Sequence, residues 1–217
     1  MIYRLTPGPL LICQADAQSN ASSGRGQVAG VLCHPDDLGA GMQAAGKSTI
    51  APLLASRLGP PAATLDGDVF YHGVVAGNVG MTPDPHPEAL RQIQLRYDAS
   101  ALVARHYLEA GFDFVCSDIM LGDHVERWLN SFPDTVERHL VVLVPSVESI
   151  VERELGRGST AYRDWQAQGM TLADAVRALQ EGLADIPRRG LWLDTTGQTA
   201  EESVEVILAN DLKSSCW

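Results

Sequence analysis

The chain has 217 residues, 45% hydrophobic and 20% charged, enough for one soluble domain with a sizeable core and too little for two full domains. Its 16 Lys and Arg against 27 Asp and Glu give a formal net charge of -11. That balance repels polyphosphate backbones and anionic membrane surfaces, so neither a nucleic-acid nor a membrane partner is expected, and no apolar run approaches the roughly 20 residues of a membrane span.

The four cysteines, Cys13, Cys33, Cys116 and Cys216, form no CxxC pair and have no His at zinc-ligand spacing, so they read as reduced thiols. The apolar patch Pro9 to Cys13 is too short for a secretory signal and has only Arg4 nearby as a cation. The expected location is the cytoplasm. Residues 1–40 differ in texture from the rest. Gln14 to Gly26 is rich in Ser, Ala, Gly, Gln and Asn without helical or strand periodicity, and much of it is expected to be disordered.

Regular signals begin at Gly41. Ile50, Leu53, Leu54 and Leu58 form a helical stripe over Lys47 to Leu58, ended by Gly59-Pro60-Pro61. Ala62 to Leu65 fits a short buried strand. Pro87 suits a first helical residue, and the helix runs through Ala89 to Ala110 before Gly111. Phe112 to Cys116 and Leu140 to Val144 are compact apolar strands, and Ser146 caps a helix through Leu155. Thr171 and Thr199 open capping boxes of two further helices, with the strand Leu191 to Leu193 between them. A first strand would complete the alternation, and the nearest candidate is Gln27 to Cys33, which needs a long connection through His34 to Ala40. The pattern is that of an α/β fold with a parallel sheet covered on both faces, and ligands are expected beyond the carboxyl ends of its strands.

Gly41 to Ser48 matches G-x-x-x-x-G-K-[ST] at every fixed position and opens directly into the first helix. A chance match in a chain of this length is expected about once in a hundred. Such a loop, here Gly41, Ala44, Ala45 and Gly46 running into Lys47, Ser48 and Thr49, turns backbone N–H groups onto phosphate oxygens, and the helix N-terminus adds its positive end. Lys47 would contact the β- and γ-phosphates of ATP, and the Ser48 hydroxyl would join the coordination of Mg²⁺.

After the second strand, Asp66-Gly67-Asp68 places two carboxylates where an acceptor would lie. Asp68 is expected to take the proton of an attacking hydroxyl, with Asp66 and His72 at the substrate. Asp118 closes a strand where a carboxylate can organise Mg²⁺ or its waters. Arg153 and Arg157, spaced i, i+4 with Gly156 and Gly158 interleaved, suit a small lid that neutralises the transferred phosphoryl. Arg91 and Arg96 on the long helix are candidate acceptor contacts, and Thr195 borders the expected nucleotide site.

Together these stretches resemble the small P-loop kinases of the nucleoside-monophosphate-kinase-like class, nearest to chloramphenicol phosphotransferase-like and related actinobacterial P-loop phosphotransferases. The resemblance runs from about Gly41 to Asn210 and rests on Gly41 to Thr49, Gly67 to Phe70, Met81 to Asp84 and Leu191 to Thr195. It implies a P-loop NTPase fold of about five parallel strands, ATP with Mg²⁺, and phosphorylation of a small-molecule alcohol, with Asp68 at the place of the proposed base. Asp66-Gly67-Asp68 with His72 also resembles the corresponding segment of gluconate kinases, and the Asp-Gly-Asp resembles that of adenylylsulfate kinases. The kinase domain is expected at residues 41–217, after the atypical segment 1–40, in a monomer or small homo-oligomer. Three other readings stand beside it: an NTPase or nucleotide-binding switch without acceptor, a toxin-like kinase of nucleotide sugars, and an inactive relative.

Overall fold

The structure is a computed structural model that describes residues 28–33, 45–81, 85–120, 122–157, 169–181, 185–209 and 212–217. Gly41, Ala44 and the expected lid segment after Arg157 lie outside the described residues.

Successive side chains of a strand face opposite sides, and the middle strands here are apolar on both. Phe114, Cys116, Leu140 and Val142 belong to one core cluster, while Val115, Val141 and Leu143, their immediate neighbours in sequence, belong to another. A sheet built from such strands must be covered by helices on each face. Five strands form it: β1 (Val28–Cys33), β2 (Ala62–Asp66), β3 (Asp113–Ser117), β4 (Glu137–Leu143) and β5 (Leu191–Leu193). All the pairings are parallel, in the order β2-β3-β1-β4-β5.

β1 occupies the centre, with Val31 beside Cys116 of β3 and Leu140 of β4. The sheet therefore takes in residues upstream of the boundary expected at residue 41.

On one face, α1 (Lys47–Leu58) and α7 (Ala200–Leu208) pack Ile50, Leu54, Val204 and Ile207 against Val115, Val141 and Leu143. On the other, α3 (Pro87–Glu109) and α4 (Asp123–Asn130) bring Tyr97, Leu108, Trp128 and Leu129 onto Phe114, Leu140 and Val142. α5 (Val147–Arg157) and α6 (Leu172–Glu181) pack on each other after β4. The short α2 (Asp68–Gly73) lies against α3.

The starts of these helices follow local chemistry. Pro87 is the first residue of α3, with the His86 ring accepting from the Glu88 N–H at 3.1 Å. At α7 the Thr199 hydroxyl accepts from the Glu202 N–H at 3.1 Å, and the Glu202 carboxylate accepts from the Thr199 N–H at 2.8 Å. α4 has no such start signal: its N-cap is Gly122, without a side-chain cap. Its apolar residues Val125, Trp128 and Leu129 nevertheless fall at helical spacing and are buried. α4 and α2 are the two described α-helices that the sequence reading did not place.

Phe114 is fully buried between β3 and α3. Phe114→Ala is expected to lower unfolding stability by about 3–5 kcal/mol, and Thr199→Ala by only about 1 kcal/mol. Urea denaturation followed by circular dichroism checks both, and a Phe114→Ala cost no larger than that of the cap would contradict the core placement.

Candidate active site

In a parallel sheet all strand ends of one polarity meet at one edge. Here the carboxyl ends of β2 and β3 and the first turn of α1 come together. Gly46 adopts φ +95°, a left-handed conformation open to glycine. Its carbonyl accepts from the Thr49 and Ile50 N–H groups at 3.0 and 2.8 Å, which starts α1. Lys47, the first residue of the helix, is 6% exposed, and its Nζ has no hydrogen-bond partner among the described residues. A buried ammonium without an acceptor is costly.

Lys47 and Ser48 line a narrow cleft with Asp66, Asp68, Arg96 and Asp118. The Gly67 N–H donates to the Ser117 carbonyl at 2.9 Å, carrying the β2–β3 contact one residue past β2. The Asp66 carboxylate accepts from the Asp68 N–H at 3.1 Å and shapes the entry to α2. A Cβ at Gly67 would lie 1.9 Å from an Asp118 oxygen, so only glycine lets the two segments approach this closely.

Asp118 is 1% exposed and accepts from its neighbour Ile119's N–H at 2.6 Å. Arg96, buried on α3, pairs with both of its carboxylate oxygens, and the same guanidinium lies 3.2 Å from an Asp68 oxygen. Burial pushes the Asp118 carboxyl above the usual aspartate range, and the Arg96 charge opposes that shift without cancelling it. One arginine thus ties α3 to α2 and to the end of β3. Arg96, expected as an acceptor contact, has its charge met by Asp68 and Asp118. Asp118, expected to organise metal, has both oxygens engaged.

Two other expected contacts stand apart from the cleft. Arg91 is exposed and pairs with Glu88 at 2.7 Å; that bond, with one from Gln92, lowers the Glu88 carboxyl to about 2. His72 is exposed, with its ring edge-on to Tyr71 at 5.6 Å between centroids.

A second cleft on the other side of Gly46 is lined by Ala45, Thr49, Arg153, Thr195 and Gln198. An Arg153 N–H donates to the Thr195 carbonyl at 3.0 Å, and the buried Thr195 hydroxyl has no partner among the described residues. Arg153 therefore faces the start of α1 from β5's side. Arg157 ends α5, but its side chain lies outside the described residues.

A third hollow, of about 220 Å³, opens between α2 and α3 and is walled by Phe70, Tyr71, Val79, Met81, Ile93 and Ala99. Arg96 lines both this hollow and the polar cleft. The sequence reading missed it, because Val74 to Met81 has no period and its partners lie on a single face of α3.

No protein-family model matches this chain, and no curated protein is similar to it in sequence. Among solved structures, the tunicamycin resistance protein of Deinococcus radiodurans is similar at 17% identity and a TM-score of 0.54, over 88% of this chain and 98% of its own. A gluconokinase from Sinorhizobium meliloti is similar at 18% and 0.52, over 85% and 91%. A sugar kinase from a Janibacter species is similar at 16% and 0.56, over 87% and 96%. The chain shares their fold.

Removing the Arg96 charge strands a buried carboxylate. Arg96→Met is expected to cost about 3–5 kcal/mol of stability, partly recovered when Asp118→Asn is added. A single-variant loss below about 1 kcal/mol in urea unfolding would show that the pair is solvated rather than buried.

Proposed function

We propose that the protein is an ATP-dependent phosphotransferase that phosphorylates a hydroxyl group of a small molecule. The observation that carries this reading is the placement of Lys47, a buried ammonium without an acceptor among the described residues, in one cleft with the Asp68 carboxylate. The N–H groups at the start of α1 and the left-handed Gly46 suit phosphate oxygens, and Lys47 offers them a desolvated charge. The shared fold with a gluconokinase and a sugar kinase agrees with this reading.

Among the described residues no group of three His, Cys, Asp or Glu side chains is placed to hold a metal ion alone. Mg²⁺ would accordingly be held by the Ser48 hydroxyl together with phosphate oxygens of the nucleotide, a set that suits this ion. When bound it neutralises charge on the phosphates. Asp118, engaged by Arg96, is given a positioning role.

Asp68 receives the proton of the acceptor hydroxyl as that oxygen bonds to the γ-phosphorus and the bond to the β,γ-bridging oxygen breaks. The electron pair leaves with ADP. Lys47 balances charge on the transferred group, and Arg153 and Arg157 do so from α5. Ala45, Thr49 and Thr195 border the nucleotide on the far side of Gly46, with Gly41 and Ala44 assigned to the phosphate loop. Asp66 orients Asp68. Arg91 and His72 are given no role.

A panel of hydroxylated small molecules, incubated with Mg²⁺ and ATP and read by mass spectrometry, is expected to yield a singly phosphorylated product. Lys47→Ala should lower turnover by about 10²–10³-fold while the far-ultraviolet spectrum stays unchanged. Asp68→Asn should lower kcat by about 10²–10⁴-fold with little change in the KM for ATP. ATP consumption with no phosphorylated acceptor in a broad panel would overturn the reading in favour of a plain NTPase.

A further inference from the structure

Resting on the kinase reading, we infer that Arg96 is a positioning residue for the transfer: it holds the Asp68 carboxylate in place, with Asp118 as its anchor in the core. The need for such a group follows from α2. This helix of six residues carries Asp68 at its first position and buries none of its side chains. Its N-cap is Gly67, without a side-chain cap, and Val69 is 53% exposed while Phe70 and Tyr71 are half-buried. Apolar packing therefore does little to fix α2. A proton acceptor, however, must be held to within about half an ångström of its working place.

Polar contacts supply what packing does not. The Asp118 side chain is wholly shielded from water, and one of its oxygens accepts from the Ile119 N–H at 2.6 Å. The Arg96 guanidinium meets it as a fork, with Nε donating to Oδ2 at 3.3 Å and Nη2 donating to Oδ1. That fork sets the plane of the guanidinium, and the same Nη2 lies 3.2 Å from Oδ1 of Asp68. Gly67, at the turn into α2, sits directly against the anchor, since a Cβ there would strike Asp118. The Asp68 side chain keeps 18% of its surface exposed, so the held carboxylate stays within reach of an incoming hydroxyl.

The geometry calls for arginine and not simply for a cation. A lysine at this position would keep the charge and lose the fork, because an ammonium on a flexible stem has no plane with which to aim a second carboxylate. Arg96 takes no proton itself, since a guanidinium stays protonated throughout. Its charge is met by Asp118 and Asp68. Its part is therefore to aim Asp68, while Lys47 is left to the phosphates.

The test uses the full chain with Mg²⁺ and ATP, water serving as the acceptor whose proton Asp68 takes, and reads the inorganic phosphate released. Two variants separate aim from stability: Arg96→Lys, which keeps the charge, and Arg96→Met combined with Asp118→Asn, which leaves no stranded carboxylate in the core. Each is expected to lower kcat by about 10- to 10²-fold and to change the KM for ATP by less than about twofold. Hydrogen exchange of the α2 amides should quicken by about tenfold in both, with the amides of α1 and β4 as protected as in the unaltered protein.

Full turnover in Arg96→Lys, a rise in the KM for ATP as large as the fall in kcat, or exchange that quickens equally along the whole chain would each overturn the inference. Failure of the kinase reading shows separately through Asp68→Asn. Undiminished phosphate release in that variant removes Asp68 as the proton acceptor, whereas slowed release there beside full release in the Arg96 variants removes the positioning role alone.

Discussion

Lys47 reaches into a cleft where it is nearly shielded from water and no described residue accepts from its ammonium. A folded chain tolerates such a group only if other contacts offset the cost. Here the offset comes from α1, which starts at Lys47 and is anchored below by Ile50, Ala51 and Leu54 in the core. The helix cannot turn to expose the lysine without withdrawing that apolar stripe. The charge is therefore held beside the N-terminal turn of α1, where the proposed function would place the phosphates of a nucleotide.

A second constraint couples the two halves of the cleft. Arg96 reaches from α3 to the carboxylates of Asp118 and Asp68, and Gly67 permits the contact by having no Cβ to strike Asp118. The consequence is that α2 and α3, which wall the apolar hollow, are tied by a buried ion pair to the strand ends beside Lys47 and Ser48. A displacement of α3 would disturb the proposed base and the hollow together. Arg96 also separates them chemically. Its guanidinium belongs to the polar cleft, whereas its position on α3 places it on the wall of the hollow, as long cationic side chains allow.

The parts legible in the sequence were those encoded by contiguous residues. The stripe Ile50, Leu54 and Leu58 set α1, Pro87 set the start of α3, and the Thr199 box set α7, because each signal acts within a few residues of itself. The phosphate-loop pattern was legible for the same reason. β1 was harder, since Ala29 and Gly30 weaken its apolar pattern and its neighbours in the sheet lie some eighty or more residues on. α2 was hidden because Asp66-Gly67-Asp68 reads equally as a turn. α4 was hidden because it starts at a glycine without a capping side chain. The partners of Arg96 were not legible at all: the residue lies 22 positions from Asp118, and only the packing of α3 on β3 brings them together. Arg91, five residues away on the same helix, has equal sequence credentials and points to Glu88 instead.

The claim on which this account turns is that the Lys47 charge is reserved for a nucleotide's phosphates. Thermal unfolding with Mg²⁺ and a non-hydrolysable ATP analogue at about a hundred times its dissociation constant tests it directly, since such binding contributes about 2.7 kcal/mol to the folded state. The account predicts a clear rise in Tm for the unaltered protein and almost none for Lys47→Met at the same analogue concentration. An equal rise in both proteins, or none in either, would contradict it.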